Sequence, residues 1–298
     1  MFTQSAWLDK LNQLPDEIFD RLSLNEIKNQ GEKPVRCFLA GLGWEIFLKK
    51  LCPQVPWPKT KVFIATPSQP SASDIPKTEN VDFFILAPPF LRRIASPIVI
   101  NDTRKRAGLE GNFETKLSVF PPATFDLIVF LWNLPLDKPQ NTLKLAYRSL
   151  KKNGQMAVVT PWESSPELPL TVLKKVLKWF GSAHQTESAE VQNRPLKLKM
   201  YKSDLPRHRR GLRKMLEKTH FKDVRVWSDS VRLSYPSAGS VFDDLLRMSE
   251  DGLFQKEITE ATKLFIRGEF IKLFESQHQP SPEGFIINYD FGGAIGFK

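Results

Sequence analysis

The clearest alternation of apolar and polar segments runs from Thr124 to Trp162. Its first part, Phe125 to Trp132, is an almost unbroken apolar run, which is typical of a parallel strand buried on both faces. After a proline-containing turn, apolar residues recur at helical spacing and predict one buried helix face, formed by Leu143, Ala146, Tyr147 and Leu150. A second apolar run, Gln155 to Thr160, follows. We therefore predict a right-handed βαβ unit.

The residues after this helical pattern predict where the helix ends. Lys151 and Lys152 stand where cations favour a helix C-terminus, and Asn153-Gly154 tolerates left-handed backbone. We expect the helix to stop at these residues and the second strand to start after them.

A similar order of elements precedes the central unit. Val35 to Leu39 reads as a strand, Ala40 to Gly43 as a tight turn with two glycines, and Trp44 to Leu51 as a helix. Glycines between a strand and a helix allow a ligand to approach the backbone closely, near the helix N-terminus. A packing turn without a ligand is the alternative interpretation.

The next strands are less uniquely defined. Lys61 to Ala65 predicts a second strand. Of two later apolar runs, Val81 to Leu86 and Pro97 to Asn101, one is expected to be the third strand and the other an extra or edge strand. A less favoured alternative makes Val81 to Leu86 the first strand.

The C-terminal third predicts a long strand, two helices and a last strand. Phe221 to Tyr235 alternates with period two, and helices are expected near 240–250 and 257–276. The predicted buried stripe of the second helix is Ala261, Leu264, Phe265, Gly268 and Ile271. The final strand contains Gly292-Gly293, which suggests a bulge or bend.

Together these elements predict an α/β, Rossmann-like fold. It has a mostly parallel twisted sheet with helices on both faces and a helical insertion before the last strand. We assign residues 1–30 to a helical preface and 31–298 to the main domain, with the insertion at about 236–280.

Composition excludes several classes of protein. The chain of 298 residues has 41% hydrophobic and 26% charged residues, which is typical of a globular protein. No apolar run reaches transmembrane length, and the N-terminal residues do not resemble a signal peptide, so a cytoplasmic location is expected. Cys37 and Cys52 cannot form a disulfide framework. The four histidines lack a metal-binding spacing, and no zinc site is predicted.

The net charge of +10 favours an acidic partner. Cations concentrate between Arg194 and Lys218, and a docking surface for an acidic protein is expected around Arg207, Arg209 and Arg210. A solvated helix face is the alternative. Nucleic acid is disfavoured because aromatic residues that could stack on bases are lacking there, apart from Tyr201.

The central unit resembles the class I S-adenosylmethionine (SAM) methyltransferases. The segments FDLIV and RSLKKNGQMAVVTPW are similar to the fourth strand, helix end and fifth strand of that family. The turn after the first strand resembles the family's glycine-rich motif, with Gly41 and Gly43 at its last two glycines. Leu39 replaces the first glycine, and Cys37 replaces the acidic residue.

The resemblance implies a SAM site. Its cofactor-binding residues would be Ala40, Gly41, Gly43, Thr66 and Glu114. Thr66 stands where the family has an acid that binds the ribose hydroxyls, and a threonine hydroxyl can make one such bond without charge. Glu114 lies near the position of the acid that faces the adenine amino group. The resemblance assigns no catalytic residue.

A narrower resemblance lies in the C-terminal third. Five segments resemble landmarks of the BioC-like branch: His220-Phe221, Val231 to Pro236, Asp244-Leu245, Met248 to Glu250 and Tyr289 to Lys298. That branch includes the malonyl-carrier-protein O-methyltransferase of biotin synthesis and complex I assembly factors. The implied function is methyl transfer to a carboxylate or other oxygen of a small or carrier-linked acid. The alternative is an inactive methyltransferase fold that binds a partner through its basic surface.

Overall fold

The computed structural model describes most of the predicted elements. The residues described are 13–14, 16–22, 34–41, 44–55, 60–66, 81–85, 117, 120–132, 138–187, 204–248 and 260–298. The strands are β1 Arg36–Gly41, β2 Lys61–Thr66, β3 Val81–Ile85, β4 Phe125–Leu131, β5 Leu150–Pro161, β6 Lys222–Tyr235 and β7 Phe285–Phe297. The helices are α1 Trp44–Leu51, α2 Pro139–Ser149, α3 Glu167–Glu187, α4 Arg209–Glu217, α5 Ala238–Met248 and α6 Glu260–Gln277. None of these helices is long and apolar enough to cross a membrane.

The strands form one seven-stranded sheet in the order β3-β2-β1-β4-β5-β7-β6. The pairs β1–β2, β2–β3, β1–β4 and β4–β5 are parallel, and β7 runs antiparallel to β5. This order reverses direction between β1 and β4, as in doubly wound Rossmann-like folds. The predicted fold class is therefore confirmed, including the helices between β6 and β7.

The third strand is now defined. Val81–Ile85 pairs with β2, so the prediction of the third strand there is confirmed and the alternative that made it the first strand is wrong. The second apolar run, Pro97 to Asn101, lies outside the described residues.

The chain divides into two compact units. The sheet unit comprises Leu8–Glu163, Asp204–Asp229 and Phe291–Lys298. The helical unit comprises Met1–Trp7, Ser164–Ser203 and Ser230–Asp290, and it contains α3, α5 and α6.

Burial explains why the central strands of the sheet unit read as continuous apolar runs. Every residue of β4 is buried, as is β1 from Cys37 onward. On one face, Phe38 and Ile128 pack in a cluster with the apolar sides of α2 and α4, including Leu143 and Leu212. Both faces are thus withdrawn from water, and each large apolar side chain contributes about 1.5–3 kcal/mol.

The end of α2 differs from the prediction. The helix ends at Ser149, and Lys151 lies in β5, where its Nζ contacts both carboxylate oxygens of buried Asp126 at 2.7 and 2.9 Å. The cation at the helix end is Lys298, whose Nζ donates to the carbonyl oxygens of Arg148 and Leu150. The left-handed residue was correctly predicted, because Asn153 has φ 65°, but it lies in an irregular part of β5.

The predicted bulge or bend at Gly292-Gly293 does not appear as a bulge in the pairing of β7 with β5. Thr160 pairs with Gly292 and Val159 with Gly293 in an uninterrupted antiparallel ladder. The glycines serve close packing instead, because a Cβ on Gly292 would overlap the ring of Trp162 and one on Gly293 would overlap Trp227.

The predicted buried stripe of α6 is also wrong. The buried residues are Ile266, Phe270 and Phe274, whereas Leu264 is 66% exposed and Phe265 is 42% exposed. Apolar residues occur on several sides of this helix, so the sequence does not fix its orientation. Aromatic neighbours from the same unit do so: Phe242 contacts Phe270 and Phe285 contacts Phe274, both at 5.3 Å between ring centroids.

Candidate functional site

The point where the sheet reverses its strand order is the first candidate site. Gly41 at the end of β1 pairs with Leu131 at the end of β4, so the two strands finish side by side. In open α/β sheets, the connections from two such strands diverge to opposite faces and leave a crevice at the carboxyl edge. Ligands of this fold class bind in that crevice.

Gly41 has a backbone that other residues rarely adopt. Its φ is 107°, in a region that is accessible to glycine and costly for residues with a Cβ. The chain therefore leaves β1 in a direction that requires glycine at the strand order reversal. Ala40 precedes it, and its methyl group is buried in the core, so only the backbone of Ala40 is available to a ligand.

Thr66 lies at the same edge. It ends β2 and directly follows Ala65, which pairs with Ala40. The structure thus brings Ala40, Gly41 and Thr66 together at neighbouring strand ends. Gly43 and Glu114, the other two predicted cofactor residues, lie outside the described residues. The cofactor-binding role of all five residues remains a prediction.

Trp132 is a feature of this edge that the sequence analysis missed. It directly follows β4 and has φ 58°, which is a rare backbone for a bulky residue. Its backbone N–H donates to the carbonyl oxygen of Val159 at 2.9 Å. The indole ring of Trp132 lies against the ring of Phe291, with 4.8 Å between the ring centroids. Such outliers concentrate at functional sites. Periodicity could not reveal it, because the apolar run simply continues through Trp132.

The strand ends at this edge carry no charge. The residues that end β1, β2, β4 and β5 in the described part of the chain are small, apolar or hydroxyl-bearing: Gly41, Thr66, Leu131 and Pro161. Glu163 follows shortly after β5, and its carboxylate accepts from Arg207 Nε at 2.6 Å.

A buried charged group lies at the opposite edge. Asp126 is 1% exposed, bonds Lys151 and accepts from the backbone N–H of Arg36 at 2.8 Å. Burial, and then the charge of Asp126, raise the pKa of the neighbouring Cys37 thiol, which therefore stays protonated. The amino-terminal ends of the strands are thus fixed by a structural ion pair, and Cys37 is not a nucleophile.

The helical unit contains a second group of polar side chains. The hydroxyl of Tyr235 donates to the carboxylate of Asp244 and lies 2.7 Å from the hydroxyl of Tyr289. Burial raises the pKa of both tyrosines. Three separate landmarks of the C-terminal resemblance therefore meet in one hydrogen-bonded cluster of neutral tyrosines and a carboxylate.

Comparisons with known proteins add similar structures but no family. No family model matches the sequence, and the search of curated proteins found no match. YcgJ protein from Bacillus subtilis is 12% identical, with 93% of this chain and 97% of that chain covered and a TM-score of 0.46. A SAM-dependent methyltransferase from Archaeoglobus fulgidus is 14% identical, with 95% and 94% covered and a TM-score of 0.40.

Phosphoethanolamine N-methyltransferase 2 from Haemonchus contortus, solved with SAM, is a further similar structure. It is 13% identical, and the alignment covers 94% of this chain and 52% of that chain with a TM-score of 0.37. At these TM-scores the alignments carry no argument about fold or function. The fold assignment rests on the order and direction of the strands.

Proposed function

We propose that this protein is a SAM-dependent methyltransferase with its cofactor at the carboxyl ends of β1 and β2. The observation that carries the proposal is Gly41 at φ 107°, at the point where the strand order reverses. That position is the ligand-binding crevice of doubly wound sheets. A glycine there lets a ligand lie directly against the backbone.

Leu39 stands where both the methyltransferase motif and the dinucleotide-binding motif have their first glycine, so the choice of SAM over a dinucleotide rests on the methyltransferase resemblance of the central unit. Leu39 is fully buried within β1 and pairs with Ile64 and Val129, so it belongs to the core and not to a phosphate-binding turn. A dinucleotide's pyrophosphate is bound by a glycine-rich turn at a helix N-terminus. SAM has no phosphate, and its charged groups are the sulfonium and the ammonium and carboxylate of its methionine part, so it does not need a phosphate-binding turn.

Each residue at the edge would have a defined role. The backbone of Ala40 and Gly41 would line the cofactor, and Thr66 would offer one hydroxyl to the ribose. When bound, SAM supplies a methyl group activated on a sulfonium. Trp132 would cover the site from the β4 side and exclude water, because its backbone is held by Val159 and its ring by Phe291.

For the methyl acceptor we propose a carboxylate of a small or carrier-linked acid, as in the BioC-like branch. The support for this choice is the BioC-like resemblance, whose landmark residues Tyr235, Asp244 and Tyr289 are hydrogen-bonded to one another. A carboxylate is nucleophilic without losing a proton, so the reaction would need mainly positioning and no general base.

The test is calorimetric titration of the purified protein with SAM, comparing Gly41→Ala with Gly268→Ala. A methyl at Gly41 must be accommodated at positive φ, which costs about 1–2 kcal/mol, and it narrows the approach to the backbone. Gly268 has open space around its Cβ position. We expect micromolar binding by the wild type and by Gly268→Ala, and at least tenfold weaker binding by Gly41→Ala.

A second variant, Thr66→Asp, should increase the affinity for SAM, in contrast to Gly41→Ala, which should lower it. A carboxylate at the end of β2 could accept from ribose hydroxyls in charge-assisted bonds, each worth about 1.5–3 kcal/mol. We expect tighter SAM binding by about tenfold. If the wild type does not bind SAM at millimolar concentration, the proposal is wrong.

A further inference from the structure

Helices α2 and α4 lie side by side on one face of the sheet. Their apolar sides enter the same buried cluster, through Leu143 and Ala146 of α2 and Leu212 and Leu216 of α4. Near their ends, the ring of Tyr147 contacts the residues that follow α4. Because both helices bury the side that faces the sheet, their exposed sides point outward together.

These exposed sides carry a marked excess of positive charge. We call this surface the basic face, and it consists of Lys144, Arg210, Arg213, Lys214 and Lys218, all exposed. Helix α2 has no acidic residue, and α4 has only Glu217. Within the described part of the chain, none of the five cations forms an ion pair with a carboxylate.

Part of this arrangement is unfavourable for α4 itself. Arg209 and Arg210 stand in the first turn of α4, which has no acidic residue. A cation at the positive end of a helix costs about 0.3–1 kcal/mol. Arg210, Lys214 and Lys218 also follow one another at four-residue spacing, and each like-charged pair costs about 0.2–0.5 kcal/mol. Lys214 in the last turn and Lys218 at the C-cap favour the helix, so the local conflict lies at Arg210 and in the repulsion between cations four residues apart. Such local conflicts are expected at functional sites.

The hydrogen bonds of Arg207 and Arg209 change which arginines are available to bind a partner. Arg207 bonds Glu163, and Arg209 Nη2 donates to the carbonyl oxygen of Val226 at 3.0 Å. Of the three arginines expected from the sequence to bind a partner, two therefore have intramolecular contacts. Arg210 is the one that belongs to the basic face.

We propose that the basic face docks an acidic helix of a partner protein. Residues four apart on α4 are about 6 Å apart along its axis, which matches carboxylates four apart on another helix. Arginine forks bind carboxylates with two hydrogen bonds. Among the described residues beside this face, the ring of Tyr147 is not available to stack on a base, because it contacts His220, Phe221 and the Lys298 ammonium. The proposal does not depend on SAM binding.

The test uses fluorescence anisotropy with three probes at physiological ionic strength. They are a helical peptide with glutamate at every fourth position, the same peptide with glutamine instead, and a single-stranded RNA of equal charge. The triple variant Arg210→Glu, Arg213→Glu, Lys214→Glu is compared with Lys174→Glu, Lys178→Glu, Lys272→Glu. The control changes exposed lysines of α3 and α6 and alters net charge by the same amount.

We expect the acidic peptide to bind the wild type and the control, and to bind the basic-face variant at least tenfold more weakly. Arg210→Glu places a glutamate in the first turn of α4, where it is favourable, whereas Lys214→Glu lies in the last turn, so circular dichroism of each variant checks that the fold is kept before binding is compared. Equal losses in both variants would show that only net charge matters and would overturn the proposal. Tighter binding of the RNA, lost in the basic-face variant, would also overturn it and assign the surface to nucleic acid.

Discussion

Gly292 and Gly293 place tryptophan rings against opposite faces of a single strand. Trp162 lies over Gly292 and Trp227 over Gly293, and neighbouring residues of a strand point to opposite sides of the sheet. A glycine pair in a strand normally weakens it. Here the lost side chains make room for two of the largest apolar groups in the chain.

We predict that Gly292→Ala and Gly293→Ala each lower the free energy of unfolding by about 1–3 kcal/mol, because the added methyl overpacks a filled space. Urea denaturation followed by tryptophan fluorescence would measure the loss. Gly268→Ala, which meets no atom within 4 Å and favours the helix, is the control and should be neutral or stabilising. Unchanged stability of both β7 variants would contradict this packing.

We predict that removing either partner of the Asp126–Lys151 ion pair destabilises the protein to a different extent. Asp126 is 1% exposed and the Lys151 side chain is 31% exposed, so the two charges differ in their access to water. Lys151→Met leaves a buried carboxylate without its cation and should cost about 3 kcal/mol or more. Asp126→Asn leaves a lysine that can turn toward solvent, and the amide oxygen can still accept from Arg36 N–H.

The comparison requires denaturation of both variants, with the double variant to complete a mutant cycle. Lys151→Met should be the more destabilised single variant. If Asp126→Asn lowers the free energy of unfolding as much as Lys151→Met does, the destabilisation by Lys151→Met does not come from leaving the buried carboxylate of Asp126 without its cation.

At the scale of elements, the sequence predicted strands and helices well where burial is uniform. Strand β4 reads as an apolar run because both of its faces are covered, and α1 was predicted at its observed bounds. The errors lie where tertiary contacts decide. Lys151 was assigned to a helix end because the sequence does not reveal buried Asp126, and Lys298 supplies that cation from far along the chain.

The buried stripe of helix α6 was also mispredicted because tertiary contacts decide it. The observed stripe predicts how substitutions in this helix change stability. Phe270 is fully buried against Phe242 and Phe274, whereas Leu264 is 66% exposed. Phe270→Ala should therefore lower the free energy of unfolding by about 3–5 kcal/mol. Leu264→Ala, on the exposed side of the same helix, should change it by less than about 0.5 kcal/mol.

Thermal and urea denaturation of the two α6 variants would measure this difference. A larger loss for Leu264→Ala than for Phe270→Ala would mean that the sequence-based stripe, and not the observed one, faces the core.

At the scale of the whole molecule, alternating strands and helices sufficed to predict a doubly wound sheet. They ended the first strand at Leu39 and the second at Ala65, whereas β1 continues through Ala40 to Gly41 and β2 continues to Thr66, where the candidate site lies. The unusual backbone of Trp132 could not be predicted, because it depends on the contacts with Val159 and Phe291. The position of β7 was also hidden, since no local pattern tells that the last strand lies between β5 and β6.

That position makes the final strand a requirement for the sheet. Residues 291–297 pair with β5 from Pro161 to Gln155, and Phe291, Ala294 and Ile295 are fully buried. Removing residues 291–298 would expose the edge of β5 and separate β6 from the rest of the sheet. We predict that this shortened chain loses cooperative unfolding and aggregates, as measured by circular dichroism during heating and by light scattering.

The control is Lys298→Ala, which keeps the last strand and removes the cation at the end of α2. It should lower the free energy of unfolding by no more than about 1–2 kcal/mol and keep a single transition. A shortened chain that unfolds in one transition at the wild-type midpoint would mean that the sheet is complete without its last strand.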